Sequence, residues 1–310
     1  MTDKRIASRV LKGDRAALAR AITIIENGER GARELLSKVG RRSGTSFIVG
    51  ITGPPGTGKS TLVDKLVASY RKKGLRVGVI AIDPSSPITG GALLGDRIRM
   101  ADLATDNMVF IRSMASRGWS GGLSAAVTDA IRMVEAWGAD LIFVETVGIG
   151  QADVEITRIA HAVAVVLMPS SGDDVQVSKA GLMEVGDIYA VNKSDLDGAG
   201  EMALHLLAMV RNSKERRQVV RVSAVTGEGM EQLMKAVEAL RARFKGRDGR
   251  EMRLKSISGM MLELAKHRVL ASFEDAVDTA MIGRLAEQVT DRKIGLEQAV
   301  EKLSERPLSG

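Results

Sequence analysis

Apolar residues change their spacing twice along the chain, and each change marks a different kind of element. From Ile6 to Val39 the spacing is helical: Ile6 to Val10, then Leu18, Ile22 and Ile25 at intervals of four and three. That is the pattern of helices with one buried stripe. Gly28 and Gly31 predict an interruption into two helices, and Gly40 with the Arg41–Gly44 segment reads as a helix stop and linker. Short apolar runs follow: Phe47–Thr52, Val77–Asp83, Val109–Ile111, Leu141–Glu145, Val163–Met168, Ile188–Val191 and Val219–Ser223. Such runs, alternating with helical stretches, predict a parallel sheet covered on both faces. Beyond the charged, Gly-containing Lys245–Glu251 the helical spacing returns, in Leu254, Ile257, Met261 and Leu264, then in Phe273, Val277, Met281, Leu285 and Val289. The expected architecture is an α/β domain over residues 46–244, preceded by a helical extension over 1–45 and followed by another over 245–310.

Composition narrows the class. The chain has 310 residues, 45% of them hydrophobic, enough for a sizeable buried core. No apolar stretch reaches the roughly 18–20 residues a membrane helix needs, and MTDKRIASRV lacks the apolar region of a signal peptide. Cys is absent, which removes disulfides and thiolate metal sites and is compatible with a cytoplasmic location. The formal charge is +7, but acids alternate with the bases and aromatics are only 3%. A solvated surface is expected, and no nucleic-acid or membrane partner.

The chemistry begins directly after the first apolar run. Gly53-Pro54-Pro55-Gly56-Thr57-Gly58-Lys59-Ser60-Thr61 fits G-x-x-x-x-G-K-[ST], a loop whose backbone N–H groups point at phosphate oxygens. A helix starting near Lys59 would add its positive end to the same anion. Lys59 is suited to charge between the β- and γ-phosphates, and the Ser60 hydroxyl to Mg²⁺. The fold class is thus sharpened to the P-loop NTPase type. Glu145 ends a buried run, where a carboxylate can hold Mg²⁺ through its water shell, and Gly148 follows as E-x-x-G, placing an N–H for the γ-phosphate. Gly148–Asp153 is then the natural switch segment. Asp83, at the end of the second run, and Asp96, on a Gly-rich stretch, are each candidates for the metal or its waters, or equally for a cap or turn. Gln151, three residues after Gly148, is a candidate for orienting the attacking water.

The base is read by Asn192-Lys193-Ser194-Asp195. An Asp carboxylate accepts from guanine N1–H and the 2-amino group together, and adenine offers neither, so a mismatch leaves a buried acceptor unpaired at a cost of about 1–3 kcal/mol. Asn192 suits the N7 edge and the Lys193 stem one face of the ring. Ser223-Ala224-Val225 after the last run offers a backbone N–H for O6. The bound nucleotide is expected to be GTP or GDP, with Mg²⁺.

Strings between these motifs resemble one family, the MeaB/ArgK-type GTPases, relatives of the human methylmalonic aciduria type A protein. They are Ile82-Asp83-Pro-Ser-Ser with Thr89-Gly-Gly and Gly95-Asp96-Arg-Ile-Arg-Met100; Phe110-Ile-Arg-Ser with Arg117-Gly118 and Gly121-Gly122-Leu123; Val144-Glu145-Thr-Val-Gly148-Ile-Gly-Gln151; and Gly172-Asp173-Asp174-Val-Gln176. The resemblance implies a GTPase chaperone of an adenosylcobalamin-dependent acyl-CoA mutase, typically methylmalonyl-CoA mutase, coupling hydrolysis to cofactor loading and mutase protection. It also implies a homodimer involving the C-terminal helices, Mg²⁺ surrounded by Ser60, Asp83, Asp96 and Glu145, and a mutase-contacting switch at Ser170–Glu184 in which Gln176 and Lys179 stand out.

Three other readings compete. A small-molecule kinase would use the same P-loop with ATP, against which Asn192–Asp195 argues. A nickel-type metal-insertion GTPase would want a ligand cluster, whereas His161, His205 and His267 are far apart in sequence and Cys is absent. A binding module would hold GTP without hydrolysing it.

Overall fold

The computed structural model describes residues 3–40, 44–83, 103–115, 125–146, 148, 151–169, 182–211, 217–277 and 279–304; at 104, 151–154, 182–183 and 274–276 it describes the backbone alone. Among these, seven parallel strands form one sheet, in the order β3-β2-β4-β1-β5-β6-β7. They are β1 Phe47–Thr52, β2 Val77–Asp83, β3 Val109–Ala115, β4 Leu141–Glu145, β5 Ala162–Leu167, β6 Ile188–Val191 and β7 Gln218–Arg221. All residues of β1, β2, β4, β5 and β6 are buried, the consequence of helices on both faces. The third run is longer than its apolar residues suggested. Arg112 and Ser113 continue it because β2 pairs with β3 along its whole length, from Val77↔Val109 to Asp83↔Ala115.

On one face, Val49, Ile51, Val79 and Phe143 pack against α4 (Lys59–Lys72) and α9 (Met230–Lys245). On the other, Ile48, Ile80, Ile142 and Val165 meet α5 (Ala125–Ala136), α6 (Gln151–Ile159), and α8 (Ala199–Val210). The short α7 (Leu182–Val185) precedes β6.

The N-terminal stretch forms three helices rather than the two expected: α1 Asp3–Leu11, α2 Arg15–Glu26 and α3 Ala32–Val39. The extra break falls at Lys12–Asp14, where Asp14 caps α2 by accepting from the Ala17 N–H at 3.0 Å, so a local side-chain bond outcompetes helix continuation. Val10, Leu18, Ile22 and Leu35 join the core of the second sheet face. Trp137 Nε1 donates to the Gly13 carbonyl at 3.0 Å, and Arg112 pairs with Glu26.

The expected linker at Lys245–Glu251 is shorter. Helix α9 runs through Lys245 and α10 starts at Gly249, ending at Ala276, before α11 (Thr279–Thr290) and α12 (Leu296–Ser304). The apolar run from Phe273 to Val289 therefore belongs to two helices. Met1–Met260 form one compact unit and Met261–Gly310 another. Within the first, Ser256 Oγ donates to the Ile159 carbonyl at 2.5 Å, and a Cβ on Gly259 would lie 2.1 Å from the Arg158 carbonyl oxygen. Only glycine permits that approach of α10 to the end of α6. In the second unit, Leu285 and Ala299 are buried.

Two buried ionisable groups brace the start of β1. His161 Nδ1 accepts the Ile48 N–H at 3.0 Å between the rings of Phe47 and Phe244, and burial holds its pKa down at about 4. Glu135 accepts the N–H groups of Gly44 and Ser46, yet burial pushes its carboxyl up to about 7 against those donors. An unfolded chain protonates His161 near 6.5, so that stability is present above 6.5 and lost as pH falls towards 4. Glu135 acts in reverse: its stability is present below 4.5 and lost as pH rises through about 7. Urea unfolding at several pH values between 4.5 and 6.5 separates the two. Relative to the parent, His161→Asn should lose less stability on acidification and Glu135→Gln more, each by up to about 1.4 kcal/mol per pH unit. Unchanged slopes in both variants would contradict these assignments.

Candidate functional site

The connection after β1 leads to β2, beyond β4, while β5 lies on the other flank of β1. That reversal makes a crevice at the carboxyl ends of the strands, the place where open α/β sheets bind ligands, and the phosphate loop sits in it. Gly53 begins the loop with φ 133°, and a Cβ there would lie 2.0 Å from the Val166 carbonyl of β5. Gly58 precedes α4 in the left-handed region, leaving the first N–H groups of α4 at the crevice. Thr57 closes the loop by donating its hydroxyl to the Pro54 carbonyl at 2.9 Å. Pro55 and Gly56 are its exposed rim. Lys59 is buried, and its Nζ donates to the carbonyls of Gly53 at 2.8 Å and Pro54 at 3.0 Å. The cation thus lies along the inside of the loop that it would neutralise. Thr61 follows Ser60 in the first turn of α4, half-buried.

Ser60 Oγ donates to Glu145 Oε1 at 2.7 Å. Strand register explains the meeting: Ile51 pairs with Glu145 across β1 and β4, so the carboxylate ends the strand beside the one that carries the phosphate loop. Ala81 pairs with Glu145 on the other side, so Asp83, two residues on, shares the face of Glu145 and is buried. A hydroxyl and a carboxylate oxygen side by side, with a second carboxylate on the same sheet face, are the hard oxygen donors that suit Mg²⁺, which also keeps several waters. Gly148 stands over the loop: with φ 85°, a Cβ on it would lie 1.7 Å from the Gly53 carbonyl oxygen and 2.9 Å from Lys59 Nζ. Gln151 opens α6, but its side chain lies outside the described residues, as do Asp96, Gln176 and Lys179 altogether.

The positions expected to read the base gather after the ends of β6 and β7. Asn192 is buried and bridges two loops, Nδ2 donating to the Thr57 carbonyl at 2.7 Å and Oδ1 accepting from the Ala224 N–H at 3.1 Å. Those partners fix the amide orientation and leave its second amide hydrogen for a base edge. Of the Ser223-Ala224-Val225 backbone N–H groups, one of which the sequence offers to guanine O6, that of Ala224 is engaged by Asn192. Lys193 takes a left-handed φ of 57°, an uncommon conformation for a side-chain-bearing residue, and its Nζ lies 3.1 Å from Met168 Sδ. Asp195 is exposed, and a hydrogen bond from the Ser223 side chain holds its carboxyl below the usual range. Ser223 Oγ also accepts the Thr226 N–H at 3.2 Å, and Val225 stands 82% exposed on the rim of the same loop.

The sequence missed the bridge itself. Asn192 was legible as a base contact, whereas its partners are a carbonyl 135 residues away and an N–H 32 residues away. Nothing in the residue type of Thr57 or Ala224 signals a backbone partner.

Known proteins resemble this chain in sequence and in fold. Residues 18–278 match the family described as Methylmalonyl Co-A mutase-associated GTPase MeaB. A Pyrococcus abyssi protein named as a GTPase is 44% identical over all of this chain and 98% of its own. GTPase ArgK of Escherichia coli is 37% identical over 74% of this chain and 73% of that one. The mitochondrial methylmalonic aciduria type A homolog of Mus musculus is 34% identical, over 74% and 60% respectively. Among solved structures, a LAO/AO transport system kinase superposes with TM-score 0.71 at 25% identity, over 98% of this chain and 97% of that one. Helicobacter pylori HypB in complex with nickel, at 15% identity and TM-score 0.51 over 68% and 94%, shares the fold.

The Asn192 bridge predicts a measurable cost. Asn192→Ala leaves the Thr57 carbonyl and the Ala224 N–H without their partner and should lower unfolding stability by about 1–3 kcal/mol in urea titration. Asn192→Asp keeps an acceptor for Ala224 but sets a carboxylate against the Thr57 carbonyl, so it should be no better than alanine. An Asn192→Ala protein as stable as the parent would remove the bridge from the account.

Proposed function

We propose a function that starts from kinship: the chain belongs to the family of methylmalonyl-CoA mutase-associated GTPases, MeaB. In this reading it hydrolyses Mg·GTP and acts as a chaperone of an adenosylcobalamin-dependent acyl-CoA mutase, with methylmalonyl-CoA mutase as the first candidate client. Hydrolysis is coupled to loading of the mutase cofactor and to protection of the mutase.

The observation that carries the guanine part is the joining of two loops through one side chain. Asn192 ties the Thr57 carbonyl of the phosphate loop to Ala224 of the base loop, while Asp195 stands ionised beside it as a double acceptor. Those positions suit a guanine edge and a triphosphate held in one crevice. The client comes from the family description alone.

Each residue has a task in this scheme. The N–H groups of Gly56 to Ser60 and the N-terminus of α4 would receive the phosphate oxygens, and Lys59 would turn its Nζ from the loop carbonyls to the β- and γ-phosphates. Ser60, Asp83 and Glu145 would hold Mg²⁺ or its waters, with Asp96 as a further candidate. When bound, Mg²⁺ neutralises the charge that builds on the phosphate oxygens. Gly148 would offer its N–H to the γ-phosphate and lose that contact on hydrolysis, so that α6, which follows it, reports the nucleotide state. Gln151 is the candidate to orient the attacking water. The homodimer through C-terminal helices belongs to the same proposal, supported by the exposed Met261, Leu262, Val269 and Leu270 on α10.

Single-turnover GTP hydrolysis, with and without an adenosylcobalamin-dependent methylmalonyl-CoA mutase from the same organism, tests the coupling. The mutase should raise the rate by at least about tenfold, a modest part of what ordering a switch and supplying charge achieves in other GTPases. Equal rates would refute the chaperone reading while leaving the GTPase intact.

A further inference from the structure

Helix α8 is apolar on two faces, and the sheet covers only one of them. Met202, Ala203, Leu206 and Val210 are buried on the side that meets β6 and β7. On the outer side Leu204 and Leu207 stand 69% and 46% exposed, with Ala208 and Met209 beside them, and Glu201 and His205 are the polar residues there. A surface helix ordinarily turns charged side chains outward, and one that is apolar all round is covered on both sides. An apolar face of this kind, at the edge of the sheet where β7 is the last strand, marks an interaction surface.

The charges around it define the cover. Gly200, Leu204, Leu207 and Arg211 fall on one stripe, at helical intervals of four, three and four. Arg221 of β7 reaches the Gly200 end of that stripe, its Nη1 4.0 Å from where a Gly200 Cβ would stand. Arg211 closes the other end, roughly 16 Å along the helix. Both arginines are exposed, and neither makes an ion pair among the described residues. The face therefore asks for an apolar stripe bordered by acids.

The chain carries such an element itself. Residues 261–310 hold more acids than bases, although the chain as a whole is at +7. In α12, Ala299 is buried, while Leu296 and Val300, four residues apart, stand 67% and 47% exposed. Glu297 and Glu301 follow each of them by one residue; both are exposed and make no ion pair among the described residues. Lys302 falls on the other flank of the helix. The outward side of α12 is thus apolar and acidic where that of α8 is apolar and basic.

We propose that the outer face of α8 receives α12 from a second copy of this chain, Leu296 and Val300 lying on Leu204 and Leu207 while Arg211 and Arg221 answer Glu297 and Glu301. This rests on the homodimer reading given above and goes beyond it by naming the surface that receives the C-terminal helix. The contact would form twice about a two-fold axis, as an isologous dimer requires. Because α8 begins four residues after Asp195, the partner copy would brace the helix that leaves the base loop.

Sedimentation of the full chain, bound to GDP and Mg²⁺, tests the contact. The parent should be a dimer. Leu204→Glu/Leu207→Glu should raise its dissociation constant at least about a hundredfold, since carboxylates would then be buried against Leu296 and Val300. Arg211→Glu/Arg221→Glu, on exposed side chains, should raise it at least about tenfold, and so should Glu297→Arg/Glu301→Arg. The protein carrying both charge reversals should return to within about threefold of the parent, an outcome that a merely disturbed fold would not give. A monomeric parent would overturn the homodimer reading and this contact together. A dimeric parent indifferent to the α8 substitutions, or charge reversals that weaken the dimer singly without restoring it in combination, would overturn this contact alone.

Discussion

The site depends on one buried amide. Asn192 holds the Thr57 carbonyl on one side and the Ala224 N–H on the other, and it can do so because β6 delivers it to the same end of the sheet as the loop after β1. Parallel strands make that delivery automatic: every strand end that points at the crevice is a carboxyl end, and the loops there converge. The phosphate loop and the loop after β7 are thereby tied to one another through one side chain. In the proposed function, recognition of the base and of the phosphates would draw on a single preorganised surface, which lowers the ordering cost of binding.

The other half of the crevice holds the segment proposed as the switch. Ser60 and Glu145 meet across α4 and β4, and Gly148 rests on Gly53 closely enough that no side chain could stand there. Helix α6 begins three residues later and ends against α10, where Ser256 bonds the Ile159 carbonyl and Gly259 abuts Arg158. A shift at the phosphate end of α6 would therefore be felt by α10 through backbone contacts that have little slack. Packed elements of this kind move as units rather than bending.

Much of this was legible beforehand. The seven apolar runs all became strands, since a strand buried on both faces needs little beyond β-branched apolar residues. The phosphate motif and the N-K-x-D element landed on loops at the same sheet edge, because both carry their chemistry within a few consecutive residues. What escaped was long-range or local to one side chain. The break at Lys12–Asp14 depended on a capping bond, the extra length of β3 on pairing with its neighbour, and the true end of α9 on a linker of three residues rather than seven. The role of His161 as a buried acceptor for Ile48, and of Glu135 as a clasp on Gly44 and Ser46, also needed the fold, since the partners are 113 and 91 residues away or nearly so. Periodicity reports which face is buried and says nothing of which buried polar atoms will find one another.

The central claim is that the crevice reads guanine, through an ionised Asp195 set beside the Asn192 bridge. Competition of GDP against ADP for the protein, measured by displacement of a fluorescent GDP, examines it without reference to any client or to turnover. GDP should be preferred by at least about a hundredfold, the discrimination expected when a carboxylate that the bound base would cover is left unpaired by the wrong base. Comparable affinities for GDP and ADP would contradict the account and return the chain to the kinases that share its phosphate loop.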